Sequence, residues 1–382
     1  MLSNLPFIGC LALMCFFAQP APPRFEAQTI DDKVAIGYGL ALGDVDGDGK
    51  PDILLADKKQ FVWYRNGDWK RFVMIDSLTE QDNVCIAARD INGDGRVEVA
   101  VGAQWNPGET TDTATSGSVH YLVGPPNPTQ RWKAVRLHHE PTVHRMQWIK
   151  VKGGYCLAVA PLHGRGNKGG EGTGARVLAY HFPENVYGPW RIDTLEKEMH
   201  LTHNFDVVEE KDLFKIYLAG KEGICILQSN LSSAAGKPQR GPGMEQGAGE
   251  VCIGKMAPGK NFIATIEPMH GDKAVVYLNG LSERVLLDDN IKEGHALAVA
   301  DLLQAGSDQV VAGWRAANKD GKVGVMMYTR KNAQGTKWEP TWIDENGMAC
   351  EDLKVLDLNN DGKPDIVASG RATHNLKIYW NR

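Results

Sequence analysis

Residues 37–56 read GYGLALGDVDGDGKPDILLA. Two short apolar segments flank Asp44-Val45-Asp46-Gly47-Asp48-Gly49-Lys50-Pro51-Asp52, and this linker sets acidic residues at alternate positions with a glycine at its sixth. Oxygens so spaced wrap a hard cation, and the glycine permits the sharp turn that such a cage requires. An EF-hand would need flanking helices and an acidic residue at the twelfth position. Here the flanks are strand-like and the acidic run ends at the ninth, so the segment reads as a calcium loop joining two β-strands. The pattern returns at Asp90, Asn92, Asp94 and Glu98 around Gly95, and at Asp357, Asn359, Asp361 and Asp365 around Gly362. One copy could be a solvated acidic turn; three at matching places in a repeat argue for structural calcium. Residues 301–308 look like a degenerate fourth copy.

Outward from this loop the chain repeats on a period of about 50 residues, the period of propeller blades. First strands open at Gly37-Tyr38-Gly39-Leu40, Asn83-Val84-Cys85-Ile86, Val143-His144-Arg145-Met146, Thr202-His203-Asn204-Phe205, Ala248-Gly249-Glu250-Val251, Gly294-His295-Ala296-Leu297 and Cys350-Glu351-Asp352-Leu353, which makes seven units. Second strands are expected at 52–56, 97–102, 157–160, 215–220, 262–266, 309–313 and 365–369, and outer strands, most of them opening on Trp, at 69–72, 132–135, 190–193, 284–287 and 338–344. The last unit has no outer strand of its own, while an orphan strand-like segment at 24–31 precedes the first. Short strands at regular spacing also suit a β-sandwich. A single period along the chain plus a displaced closing strand favours an all-β, seven-bladed β-propeller closed by an N-terminal outer strand, which leaves no exposed edge in the ring. Residues 229–249, rich in Gly, Ser and Pro, show no outer strand for the fourth unit and read as a surface loop.

Residues 5–17 are apolar and are followed by Ala18-Gln19-Pro20-Ala21, which reads as a signal peptide over 1–21, export to the periplasm or the extracellular space, and one propeller domain over 24–382. The net charge of −5 provides no basic stripe for nucleic acid, and no interior apolar run is long enough to span a bilayer. Past the leader the five cysteines lie in strand-like runs without a CxxC pattern, so neither a disulfide framework nor a cysteine metal site is expected. The stretch from Gly164 to Gly169 fits GxGxxG but opens no helix, and dinucleotide binding is rejected.

If the calcium loops join the end of each first strand to its second, the starts of the first strands lie at the opposite face, around the central channel. The column of Tyr38 then contains Val84, His144, His203, Gly249, His295 and Glu351. Imidazoles plus a carboxylate from separate blades form a ligand set for catalytic zinc or another divalent transition metal, so His144, His203, His295 and Glu351 are the expected ligands. A wet polar channel lining is the blander alternative. The ends of the second strands add His163, His270, Arg315 and Arg371, and glycine-rich inserts at 105–118 and 163–176 are expected to wall the mouth.

The D-x-D-G-D-G-x-x-D loops within strand pairs resemble the FG-GAP or VCBS repeats of integrin-α-type propellers. The stretch 37–52, the strand-start histidines and the seven-fold repetition most resemble the propeller domain of the aldos-2-ulose dehydratases; seven-bladed fungal lectins are a more distant likeness. The resemblance implies a metal-dependent lyase that removes water from keto sugars or keto-glycosides by β-elimination at the channel mouth. It makes a sugar or glycoside small molecule the partner, with His163, His270 and Tyr38 as acid/base candidates and Arg145, Arg315 and Arg371 holding hydroxyls or developing charge. The competing reading is a non-catalytic, calcium-stiffened propeller that binds glycans or a protein. No protein partner is identifiable from sequence, and no cofactor signature supports a redox propeller.

Overall fold

The computed structural model describes residues 24–382 except 168, 211, 212 and 229–235; the leader read at 1–21 lies outside the described residues. Seven antiparallel sheets follow one another along the chain and no helix occurs among the described residues. Blade 1 runs Gly39–Gly43, Asp52–Ala56, Gln60–Tyr64, Arg71–Asp76 from the inside outward. The seventh consists of Cys350–Leu356, Asp365–Gly370 and Asn375–Asn381, with Phe25–Asp31 as its outermost strand. Phe25 pairs with Asn381 and Thr29 with Lys377, so first and last segments lock together through a backbone ladder.

Each blade is a sheet whose two faces are both covered by neighbours, and its second strand is therefore a continuous apolar run: every residue of Asp52–Ala56 and Asp365–Gly370 is buried. The core is correspondingly split into seven layers, one between each pair of adjacent blades. Trp63 and Phe61 face Val99 and Val101 across the first, and Leu40 and Tyr64 face Val367 and Ile378 across the layer that closes the ring.

Blade 4 contains three strands among the described residues, Thr202–Glu210, Leu213–Gly220 and Gly223–Gln228. The missing outer strand was anticipated, but the region is not merely loop. Gln239 makes a two-way bridge with Ile224, N to O 2.8 Å in each direction, at the place an outer strand would occupy.

Two asparagines at third-strand ends join adjacent blades. Asn66 of blade 1 donates to the carbonyls of Pro51 and, in blade 7, Leu358. Asn381 of blade 7 repeats this toward Pro364 and, in blade 6, Leu302, and it is 3% exposed. Buried amides that satisfy otherwise orphaned carbonyls are costly to remove. Asn381→Ala is expected to reduce stability by about 1–3 kcal/mol, read as a lower thermal midpoint, whereas an Ala at the exposed partner-free edge of a loop would leave it unchanged.

Candidate metal centre at the channel mouth

Backbone register decides which side chains enter the channel. In blade 3, Val143 pairs with Pro161 and Arg145 with Ala160, which leaves His144 as the extra residue of a β-bulge. His295 is skipped in the same way between Gly294 and Ala296, and Glu351 between Cys350 and Asp352; in blade 4 the shift falls between Thr202 and Phe205, around His203. A bulge rotates its extra residue out of the alternating pattern and re-aims the side chain. The result is that His144, His203 and His295 bring ligand nitrogens within 4.8 Å of one another.

All three rings are oriented by one device. Nδ1 of His144 lies 2.9 Å from the carbonyl oxygen of His203, Nδ1 of His203 3.1 Å from that of Gly249, and Nδ1 of His295 2.6 Å from that of Glu351. A carbonyl can only accept, so each Nδ1 carries the proton and each Nε2 presents a lone pair. In every case the acceptor is the column residue of the next blade. Burial, the largest cause, pushes all three imidazoles well below the ordinary histidine range, with Arg145 adding to the effect at each and Arg315 at His295. They are neutral, the state that binds a metal.

Blade 5 offers glycine at this level. A Cβ on Gly249 would meet Cα of Met269 at 2.9 Å and the nitrogen of His270 at 3.3 Å, so the vacated space is filled by the loop after the second strand of that blade. That loop holds His270 at φ 52°, with Nε2 2.8 Å from Nε2 of His203. Because His203 is protonated on Nδ1, His270 is the donor in this pair. Burial and the neighbouring His203 bring its pKa down to about 3.

Below the histidines the inner strands enclose a channel cavity of about 460 Å³, polar at Arg145, Gln147, Asn204, Asp206, Asp352 and Lys354. At its far end stand the acidic loops. In the first, Asp44 accepts from the nitrogens of Gly47 and Gly49 at 2.6 and 2.7 Å, and Asp44, Asp46 and Asp48 bring carboxylate oxygens within 4.8 Å of one another. Oδ1 of Asp46 is buried without a hydrogen-bond partner, as a cation ligand would be. The second and third loops place Asn92 and Asn359 at the middle position.

Residues 116–280 match the family model of the aldos-2-ulose dehydratase β-propeller domain. Residues 44–101 match the FG-GAP-like repeat. The first span contains His144, His203 and His270; the second contains two of the acidic loops. No curated protein matches the chain. Among solved structures, a chain of the mitotic checkpoint complex aligns at 10% identity with a TM-score of 0.59, covering 98% of this chain and 96% of that one. A chain of BBS1N in complex with ARL6DN, from a mercury-soaked crystal, aligns at 13% identity with a TM-score of 0.57, covering 96% and 98%. At such identities the likeness is one of fold alone.

The expected site residues divide. His144, His203 and His295 converge as the column reading required, and His270 joins them. Glu351 does not: its carboxylate oxygens receive Arg315 at 3.2 Å and Arg371 at 3.3 Å, and the nearer approach to His295 is 3.9 Å, on the protonated Nδ1 side. Two guanidiniums beside a buried carboxylate outcompete a turn toward the trio. Tyr38 donates to Asp82 at 3.2 Å, carries the Arg371 guanidinium 5.6 Å over its ring, and is pushed by burial above the usual phenol range, so it remains a phenol rather than a base. His163 forms an isolated bridge with Leu201, and among the described residues its Nδ1 is buried without a partner and no contact brings it to the trio. Trp105, whose ring lies 5.1 Å from that of His144, forms part of the wall above the centre.

The ninth residue of each acidic loop, expected as a calcium ligand, also holds backbone. Asp52 accepts from the nitrogens of Val45 and Asn66, Asp365 from those of Leu358 and Asn381, and Glu98 from that of Ile91. In blade 6, neutral Gln309 does the same for Leu303, so the backbone clamp itself needs no charge. Asp52→Asn, able to accept through only one side-chain atom, should therefore reduce stability by about 1–3 kcal/mol with or without calcium, read as a lower melting temperature. Asp46→Ala, which unlike Asn offers no side-chain oxygen at this position, should leave the calcium-free protein folded and remove one site from a calorimetric calcium titration.

Proposed function

We propose that the protein is a metal-dependent carbon–oxygen lyase that acts on keto sugars or keto-glycosides by β-elimination at the channel mouth. The observation that carries this reading is the convergence of three neutral, buried imidazoles, each fixed by its Nδ1 proton to a neighbouring blade. Three histidines on a rigid ring suit zinc or a related divalent ion with an open position. The match to the aldos-2-ulose dehydratase propeller supports a sugar as the substrate class.

A divalent ion held there would supply Lewis acidity toward a ketone oxygen, which acidifies the adjacent C–H. The chain's own groups do the rest. His270 is neutral and its Nδ1 has no hydrogen bond among the described residues; an ion on Nε2 of His203 would displace the N–H that His270 donates there, and the freed ring could take the proton from the carbon beside the ketone and deliver it to the departing β-oxygen. Arg315 and Arg371, anchored on Glu351, present their remaining N–H groups to hydroxyls. Trp105 shields one side of the centre from water. At the opposite face, calcium on Asp44, Asp46 and Asp48 would stiffen the hairpin and take no part in the chemistry.

The calcium-stiffened binding propeller is the other outcome of the same experiment. Metal analysis after mild dialysis that leaves calcium in place should find one transition-metal ion per chain, lost in a His144→Ala, His203→Ala double variant. Keto sugars should then yield an enone, followed by its ultraviolet absorbance, and His270→Gln should reduce kcat by about 10²- to 10⁴-fold. Calcium alone in both proteins would overturn the lyase and leave a glycan- or protein-binding propeller.

A further inference from the structure

Arg145 occupies an atom that the proposed metal centre needs. Its Nη1 donates to Nε2 of His144 at 3.2 Å and to the carbonyl of the same residue at 3.1 Å, and its side chain lines the top of the channel cavity. A guanidinium has no available lone pair and cannot be deprotonated in a protein, so it cannot ligate an ion and is repelled by one at the nitrogen it occupies. Loading His144 requires Arg145 to leave.

One group in the channel wall is suited to receive it. Glu250 follows Gly249 as Arg145 follows His144, so both side chains depart from inner strands at the same height of the ring. Glu250 is 2% exposed; Oε2 accepts from Nδ2 of Asn204, and Oε1 is buried with no hydrogen-bond partner. That orphaned oxygen stands 3.0 Å from Nδ1 of His203, but the His203 proton is directed to the Gly249 carbonyl. A buried carboxylate oxygen left unpaired is costly and gains most from a cationic donor. Burial pushes the Glu250 carboxyl up to about 7, and Arg145 is the largest influence acting against that rise.

We propose that Arg145 and Glu250 are a counter-ion pair that sets divalent-ion capture by the histidine trio: Arg145 blocks Nε2 of His144 in the ion-free protein and turns to Oε1 of Glu250 when that nitrogen is taken. The proposal rests on the trio being a metal centre. Glu250 acts here as a positioning residue, through charge on His203 and through the place it gives Arg145, without touching the ion.

The test is the zinc dissociation constant of the full chain, stripped with chelator, dialysed and titrated against a chromophoric zinc chelator, with cobalt absorption as a second reading. Arg145→Met should tighten zinc binding, and Glu250→Gln should weaken it, each by about 10-fold or more. The Glu250→Gln loss should shrink in the Arg145→Met background, because the landing place then has nothing to receive. Arg145→Gln repeats the first measurement should the Met variant fail to fold by circular dichroism. Unchanged or weaker zinc binding without Arg145, or a Glu250→Gln loss that is equal in both backgrounds, would overturn the pair while leaving the trio intact. Zinc binding that survives His144→Ala, His203→Ala would instead overturn the trio reading, and the pair with it.

Discussion

The backbone ladder between Phe25–Asp31 and Asn375–Asn381 is the constraint on which the rest depends. An open array of seven sheets could slide or splay, and its end blades would expose unpaired edges. Once the last sheet takes its outer strand from the start of the chain, each inner strand is held at a fixed height between two neighbours. The seven apolar layers then act as rigid spacers, because close-packed interiors resist compression. In such a ring, column residues far apart in sequence converge within the length of a side chain.

On that frame, local irregularity makes the site. A regular inner strand would send alternate side chains into the layers between blades, and no histidine would face the axis. The bulges at His144, His295 and Glu351, and the shift around His203, release a side chain from the ladder and leave a main-chain carbonyl to orient the ring next to it. Blade 5 reaches the same level by another route, with a glycine that makes room for a loop histidine. The site is thus assembled from departures from the repeat, while the repeat supplies rigidity.

Electrostatics divides the channel into two ends of opposite character. At the mouth, burial keeps imidazoles neutral, Arg315 and Arg371 share the single carboxylate of Glu351, and Arg145 and Glu250 remain as incompletely satisfied groups. At the far end, carboxylates crowd around Asp46 and burial raises its pKa, as does its neighbour Asp48. Neutral nitrogens suit a transition metal and clustered carboxylates suit a hard cation, so the two ends would select different ions.

The sequence alone determined the seven-unit repeat, the closing N-terminal strand, the acidic loops between first and second strands, and the column that contains His144, His203 and His295. These are written in local patterns: strand-length apolar runs, turn glycines and oxygen spacing, repeated at one period. Tertiary structure alone decided that Glu351 faces Arg315 and Arg371, that Asp52 and Asp365 clamp backbone, that His270 fills the space over Gly249, that Arg145 sits on His144, and that Oε1 of Glu250 is left without a partner among the described residues. Each of these is a contest between blades for a donor, an acceptor or a volume. A linear pattern names the competitors, but the winner is set by distances that exist only after the ring has closed.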